Sequence, residues 1–155
     1  MTIPQSEADR LVAIHKKPAD PSAVYSYPSI GGDISIPLVA VSGNEHFLLD
    51  VARGRIRLDR CKSQVRFQTT VCLCRLEWVG APHTNPDAAC PIQRLNQFRG
   101  RRILSPHIHW YVENFDDRWA EPFALPVPDT FEEKLELFSQ YVNIIIPPTI
   151  SGVLI

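Results

Sequence analysis

The sequence predicts an α+β domain in which a mostly antiparallel sheet of about five strands carries an N-terminal helical segment and a C-terminal amphipathic helix. Apolar and polar residues alternate in several segments between residues 34 and 112, which is the pattern of half-buried strands. A helical period with a clear start signal appears near the C-terminus. The 155 residues, 45% hydrophobic and 21% charged, suffice to bury one core.

We therefore predict one domain over residues 1–155. An N-terminal helix and a Pro-rich loop occupy residues 1–32, and the sheet occupies residues 33–128 with a long loop at 80–104. The C-terminal helix occupies residues 129–146.

The N-terminal segment has a weak helical pattern, with apolar residues on one side of a helix within residues 1–17. Three prolines and the Gly31–Gly32 pair then interrupt regular structure, because proline fixes φ and lacks an amide hydrogen. Residues 18–32 are therefore predicted to form a loop on the surface.

The first strands follow this loop. Residues 34–40 alternate, and Pro37 within them indicates an edge strand. Residues 47–52 form the next strand, and Arg53–Gly54 provides a tight turn into a third strand that starts at Ile56.

The longest strand-like segment runs from Val65 to Val79, after a connection at Ser63–Gln64. Its centre is apolar on both faces, which predicts the middle strand of the sheet. Residues 80–104 contain several prolines and glycines and form the long loop, and loops of this length in compact domains are often functional. Residues 107–112 form a further strand.

The C-terminal helix has the clearest signals. Thr130 and Glu133 form a T-x-x-E capping box, in which each side chain accepts a hydrogen bond from the other residue's backbone N–H. Apolar residues then recur every three or four positions, so one helix face is predicted to pack on the sheet. These residues are Phe131, Leu135, Phe138 and Val142. Pro147–Pro148 ends the helix, and the apolar tail at 149–155 is predicted to add an edge strand or to contact a partner.

The composition predicts a cytoplasmic protein without a membrane span. No apolar run approaches the roughly 20 residues of a membrane helix. The first seven residues are polar and acidic and lack the pattern of a signal peptide. Four cysteines are predicted to be reduced thiols, since the core does not depend on disulfides. They are Cys61, Cys72, Cys74 and Cys90.

Charge is unevenly distributed along the chain. Residues 53–118 carry twelve basic and six acidic side chains, a net +6, whereas the two flanking thirds are net acidic. This asymmetry is compatible with an anionic partner such as RNA, or with a protein partner, for the basic middle third. A solvated sheet face explains the same charges equally well.

The most informative segment is the strand that contains His107 and His109. Alternation places both imidazoles and Tyr111 on one face, with Glu113 next if the strand continues. Two imidazoles about 7 Å apart along a strand can ligate one metal ion, or act as base and acid around one phosphodiester. An ordinary exposed strand has the same pattern. Asp117, shortly after the strand, is a carboxylate that could orient an imidazole.

His83 opens the long loop, within reach of the histidine pair if the two strands are neighbours. The alternative is an incidental histidine beside an Asn-Pro-Asp turn. Four arginines are predicted to bind substrate, because guanidinium groups suit phosphate and developing negative charge. They are Arg99, Arg101, Arg102 and Arg118. A solvated basic loop is the simpler explanation.

Several common catalytic signatures are missing from the sequence. It has no P-loop, no dinucleotide-binding glycine pattern, no G-x-S-x-G and no H-E-x-x-H. These absences exclude the usual nucleotide-dependent and serine-hydrolase classes. The cysteine spacing is not that of a structural zinc site, and no cofactor is predicted.

About two-thirds of the chain resembles a family of small uncharacterised bacterial proteins. The family's recurring elements are an F-L-L-D-V-x-R-G-R-I strand pair, an H-x-N-P-D loop and a P-H-x-H-x-Y-x-E…D-x-W-A block. They correspond here to residues 47–56, 83–87, 106–113 and 117–120. The resemblance implies a shared site but names no reaction. Two departures are a basic insert before the histidine block and Asn114 where a glycine is expected.

A weaker resemblance is to the first metal motif of cupins, G-x5-H-x-H-x3,4-E-x6-G. The segment from Gly100 to Glu113 reads G-x6-H-x-H-x3-E, which implies His107, His109 and Glu113 as metal ligands. The first gap is one residue too long, Ala120 replaces the closing glycine, and a helix is predicted where the second cupin motif belongs.

Three hypotheses follow. The first is a small protein of the toxin or phage-defence kind that binds or cleaves RNA without a metal, with His107, His109, His83 and Tyr111 as catalytic residues. The second is a cupin-like metalloenzyme. The third is a binding partner without catalysis, such as an antitoxin, immunity protein or inhibitor, which acts through the basic middle third or the apolar tail.

Overall fold

The computed structural model describes residues 1–55 and 61–152, which contain two α-helices, one 3₁₀-helix and eleven strands. The helices are α1 (Gln5–Ala13) and α2 (Phe131–Tyr141), and the 3₁₀-helix is Gln93–Phe98. The strands are β1 (Lys16–Pro18), β2 (Val24–Ser26), β3 (Asp33–Ala40), β4 (His46–Arg53), β5 (Cys61–Phe67), β6 (Val71–Glu77), β7 (His83–Thr84), β8 (Arg102–Ile103), β9 (His107–Val112), β10 (Asp116–Pro122) and β11 (Thr149–Ser151).

The main sheet has seven strands in the order β1-β3-β4-β5-β6-β9-β10, and every neighbouring pair is antiparallel. This confirms the predicted α+β class with a mostly antiparallel sheet. The predicted number of about five strands is too small. Two further pairs, β2 with β11 and β7 with β8, form separate two-stranded sheets.

The strand predicted from Val65 to Val79 is wrong, because this segment contains the turn of a hairpin. β5 ends at Phe67 and β6 begins at Val71. Between them Gln68 adopts a φ of 54°, and its backbone N–H donates to the carbonyl of His46 at 2.9 Å. A left-handed residue without glycine gives little signal in the sequence. The predicted connection at Ser63–Gln64 lies within β5 instead.

The loop predicted over residues 18–32 contains β2, whose partner is the C-terminal tail. β11 pairs with β2 in parallel, with Ile150 opposite Tyr25. The tail therefore adds a strand, as predicted, but to β2 and not to the main sheet. The strand predicted to start at Ile56 lies outside the described residues.

The main core lies between the sheet and the two α-helices. Leu11 of α1 and Phe138 of α2 are fully buried together with Leu49 and Val65 of the sheet. The predicted capping box is present at Thr130, and α2 ends at Tyr141 instead of residue 146. Within residues 1–55 and 61–152, no helix is long and apolar enough to cross a membrane.

Lys16 is a fully buried lysine that connects the C-terminal ends of both α-helices. Its Nζ donates to the carbonyls of Val12 at 3.0 Å, Ile14 at 2.9 Å and Val142 at 2.7 Å. Burial lowers the pKa of Lys16 to about 8. The three acceptors and the negative ends of two helix dipoles favour the charged form. One side chain thus ties β1, α1 and α2 together.

Replacing Lys16 with methionine is expected to lower the free energy of unfolding by about 3 kcal/mol, because three carbonyls lose their donor while the volume of the stem is kept. Lys17→Met, on the same strand, is the matched control and is expected to change it by less than about 0.5 kcal/mol. Urea unfolding followed by circular dichroism measures both. Equal stability of the two variants would contradict the role assigned to Lys16.

Candidate functional site

The candidate site lies where β6 and β9 pair. In the antiparallel register Arg75 is opposite His109, and Glu77 is opposite His107. Residues directly opposite each other in a sheet project to the same face. The register therefore places two imidazoles, a guanidinium and a carboxylate side by side.

Three histidines predicted from the sequence meet at this point. The ring centroids of His107 and His109 lie 4.9 Å apart. The ring of His83, from β7, lies 4.5 Å from that of His109 and 6.3 Å from that of His107. His83 is half-buried, whereas His107 is 0% exposed and His109 is 1% exposed. The pair on β9 is therefore closed to solvent.

His109 is held as a neutral imidazole. Burial, followed by the nearby Arg75 guanidinium, lowers the pKa of His109 to about 4. His109 Nδ1 lies 2.8 Å from the carbonyl oxygen of Asp117, which fixes Nδ1 as the protonated nitrogen and a hydrogen-bond donor. The remaining nitrogen, Nε2, consequently carries the lone pair.

The carboxylate beside the histidines belongs to Glu77. Its Oε2 lies 3.3 Å from His107 Nε2. The contact with His107, together with the nearby Arg75, lowers the pKa of Glu77 to about 2 against the effect of burial. Glu113, the ligand that the cupin resemblance implies, instead accepts a hydrogen bond from the Gln5 backbone N–H at 2.9 Å. The structure thus replaces Glu113 with Glu77 in this cluster.

His107 is the unsatisfied member of the cluster. Among the described residues, neither ring nitrogen has a hydrogen-bond partner of good geometry. A fully buried polar group without such a partner costs about 1–3 kcal/mol. His107, His109 and Glu77 each offer one ligand atom, and these atoms lie within 4.8 Å of one another. The orphaned ring therefore faces two further groups that can bind a metal ion.

Arg75 holds the groups around the cluster. Its Nε lies 3.2 Å from Glu77 Oε1, and its Nη1 pairs with the Asp117 carboxylate. Its Nη2 lies 3.3 Å from both ring nitrogens of His109, which places the guanidinium against the ring face. The carboxylate of Asp117 therefore contacts the arginine, while its backbone carbonyl orients the imidazole.

Asn85 anchors the segment that carries His83. Its side chain donates to the carbonyl of Ala120 at 2.7 Å and accepts from the Ala120 N–H at 2.8 Å. The amide thus pairs with the outer edge of β10 as a neighbouring strand would. His83 Nε2 lies 2.7 Å from the Arg118 carbonyl on the same strand. The Asn-Pro-Asp sequence therefore does more than form a turn.

Tyr111 does not join the histidines. Its hydroxyl donates to the Ile3 carbonyl at 2.8 Å and accepts from the Ile3 N–H at 2.9 Å, in the main core. The tyrosine fixes the N-terminus on β9 and leaves the predicted catalytic set.

The four predicted arginines also lie apart from the histidine pair. Arg99 pairs with Asp87 at 2.8 Å. Arg102 lies opposite Thr84, so alternation places it on the other face of the two-stranded sheet from His83. Arg118 covers Phe115, and Arg101 is exposed. These placements leave Arg75 as the arginine in contact with the cluster.

A model of a family of unknown function, DUF6978, matches residues 3–144, and the chain belongs to that family. This confirms the predicted membership of an uncharacterised family. No curated protein and no solved structure matches the chain.

Replacing Asn85 with alanine is expected to lower the free energy of unfolding by about 2–3 kcal/mol, since the backbone groups of Ala120 lose both partners. Asn44→Ala, in an exposed turn, is the control and is expected to change little. Urea unfolding measures the stability, and hydrogen exchange of the Ala120 amide reports the local effect. Unchanged exchange at that amide in the Asn85 variant would refute the anchoring role.

Proposed function

We propose that this member of the family binds a divalent transition-metal ion through Glu77, His107 and His109, in a site of the catalytic type. Two imidazoles and one carboxylate are a ligand set that Zn²⁺ and non-haem Fe²⁺ use. The proposal keeps the histidine ligands of the metalloenzyme hypothesis and changes its carboxylate.

The burial of His107 without a hydrogen-bond partner carries this proposal. Its ring is 0% exposed, and its nitrogens are among the buried atoms without a partner. A metal ion would satisfy this ring by accepting its lone pair. An ion with ligand distances of about 2.0–2.2 Å would draw the three ligand atoms closer together than their present separation.

The surroundings suit a metal ligand set. The Asp117 carbonyl orients His109 so that Nε2 is free to bind, which is the usual arrangement around ligating histidines. Arg75 fixes the position of Glu77 through its Nε. The ligands thus have neighbours that hold their orientation before an ion arrives.

Three protein ligands leave an open coordination position on a four-coordinate ion. A bound ion would act there as a Lewis acid toward a water or substrate oxygen. His83 lies beside His109 and is more accessible than the β9 pair. It is therefore the histidine placed to exchange a proton with a molecule at the ion.

Metal-independent RNA cleavage by the β9 pair has less support from the geometry. A ribose hydroxyl must reach the base, and both imidazoles are closed to solvent. The predicted phosphate-binding arginines also lie away from the pair, as described above.

Glu77→Gln is expected to weaken Zn²⁺ binding at least 10-fold, because it removes a charged ligand while keeping the side-chain shape. Glu113→Gln is the matched control and is expected to leave binding unchanged, since Glu113 contacts Gln5. Competition with a chromophoric chelator measures affinity and a stoichiometry of one ion per chain.

Three results would contradict the metal site: no Zn²⁺ binding by the parent protein, equal losses in the two glutamine variants, or full binding by Glu77→Gln. Because His107 is buried, its substitution is a poor first test. The half-exposed Glu77 provides the cleaner variant.

RNA binding is a second candidate function, and Arg101 and Arg102 favour it. Both are exposed, and neither side chain forms an ion pair within the described residues. Unpaired guanidinium groups on a surface suit contacts with backbone phosphates. Such binding would fit the toxin or phage-defence hypothesis without requiring cleavage.

Removing both side chains in Arg101→Ala/Arg102→Ala is expected to weaken binding of a labelled single-stranded RNA and to reduce its salt slope by about 2. Arg10→Ala, whose guanidinium is paired with Glu7 and Glu45, is the control. Fluorescence anisotropy over a salt series measures both quantities. Equal slopes in the double variant and the control would remove RNA from consideration for this surface.

A further inference from the structure

A cleft borders the proposed metal site at Glu77. In the sheet register Ala52, Lys62, Glu77 and His107 form one row across β4, β5, β6 and β9. A cleft of about 230 Å³ opens along this row, and Glu77 is one of its walls. A single carboxylate is therefore shared by the cleft and the metal site.

The other polar side chains of the cleft are basic. Lys62 is exposed and adjoins Glu77 across the strand pair. Arg53 also lines the cleft, and its Nε is buried without a hydrogen-bond partner. A buried guanidinium nitrogen without an acceptor marks a place where an anion is missing from the balance.

We propose that this cleft binds a small oxyanion, a carboxylate or phosphate group, as the substrate or ligand of the metal site. Arg53 and Lys62 would hold one end of the molecule. The other end would reach the open coordination position of an ion held at Glu77. This inference rests on the proposed metal function and adds the chemical class of the molecule bound there.

The dimensions of the cleft limit the molecule to a small acid. Pockets for drug-sized ligands measure about 300–1,000 Å³, and this cleft is smaller. Lys62 and His107 lie two strand spacings apart, about 10 Å. A molecule of a few non-hydrogen atoms therefore spans from the basic side chains to the ion, whereas an RNA strand exceeds the space.

Protein loaded with one equivalent of Co²⁺ provides the test, because the visible bands of the ion respond to a new ligand. We expect acetate or inorganic phosphate, at constant ionic strength, to shift these bands in a saturable manner. The better of the two identifies the acid group. Lys62→Met is expected to raise the apparent Kd of that anion about 10-fold, since one charge-assisted contact is lost.

Arg53→Met provides a second variant with the same expectation. Lys134→Met, on α2, is the control and is expected to leave the anion affinity unchanged. Both basic variants of the cleft are expected to bind Co²⁺ as the parent does, because neither residue is a metal ligand.

The outcomes separate the two proposals. A parent protein that binds Co²⁺ but shows no band shift with either anion would overturn the oxyanion site and leave the metal site standing. Equal anion affinities in Lys62→Met and Lys134→Met would have the same meaning. If the parent shows no Co²⁺ bands, the metal site and the ligand assigned to it are both wrong.

Discussion

The register between β6 and β9 is the constraint on which the candidate site depends. It sets Arg75 opposite His109 and Glu77 opposite His107. Because side chains alternate along a strand, a shift by one residue would turn both imidazoles to the face that the helices cover. The same register continues through β5 and brings Lys62 next to Glu77. One pairing pattern therefore creates the ligand cluster and the cleft beside it.

The two rows of this face differ in how well their charges are matched. In the first row Asp50, Gln64, Arg75 and His109 follow one another across four strands. Asp50 is buried, which alone would raise its pKa, but the hydrogen bonds from its neighbours, led by Arg66, lower it overall. In the second row the buried imidazole lacks a hydrogen bond. The demand for a partner is thus localised at one end of the second row, where the carboxylate and the cleft also lie.

The sequence predicts what depends on local periodicity. Alternation correctly placed His107 and His109 on one strand face, and the capping box at Thr130 located the start of α2. The contribution of Glu77 depends on which strand pairs with β9, and no local pattern records a long-range partner. The nearest acid along the chain, Glu113, was predicted in its place. The turn at Gln68 was missed for a related reason, since its positive φ is imposed by the hairpin and not by a glycine.

Burial also changes the chemistry that the histidine pair can perform. From the sequence alone, two imidazoles on a strand among arginines suit acid–base catalysis on RNA. A general acid must hold a proton near neutral pH and must meet its substrate, whereas His109 is enclosed and its pKa is low. A neutral, oriented imidazole instead meets the requirements of a metal ligand. An ion is small enough to enter between side chains where a polynucleotide is excluded, and the exposed arginines are then available for a separate role.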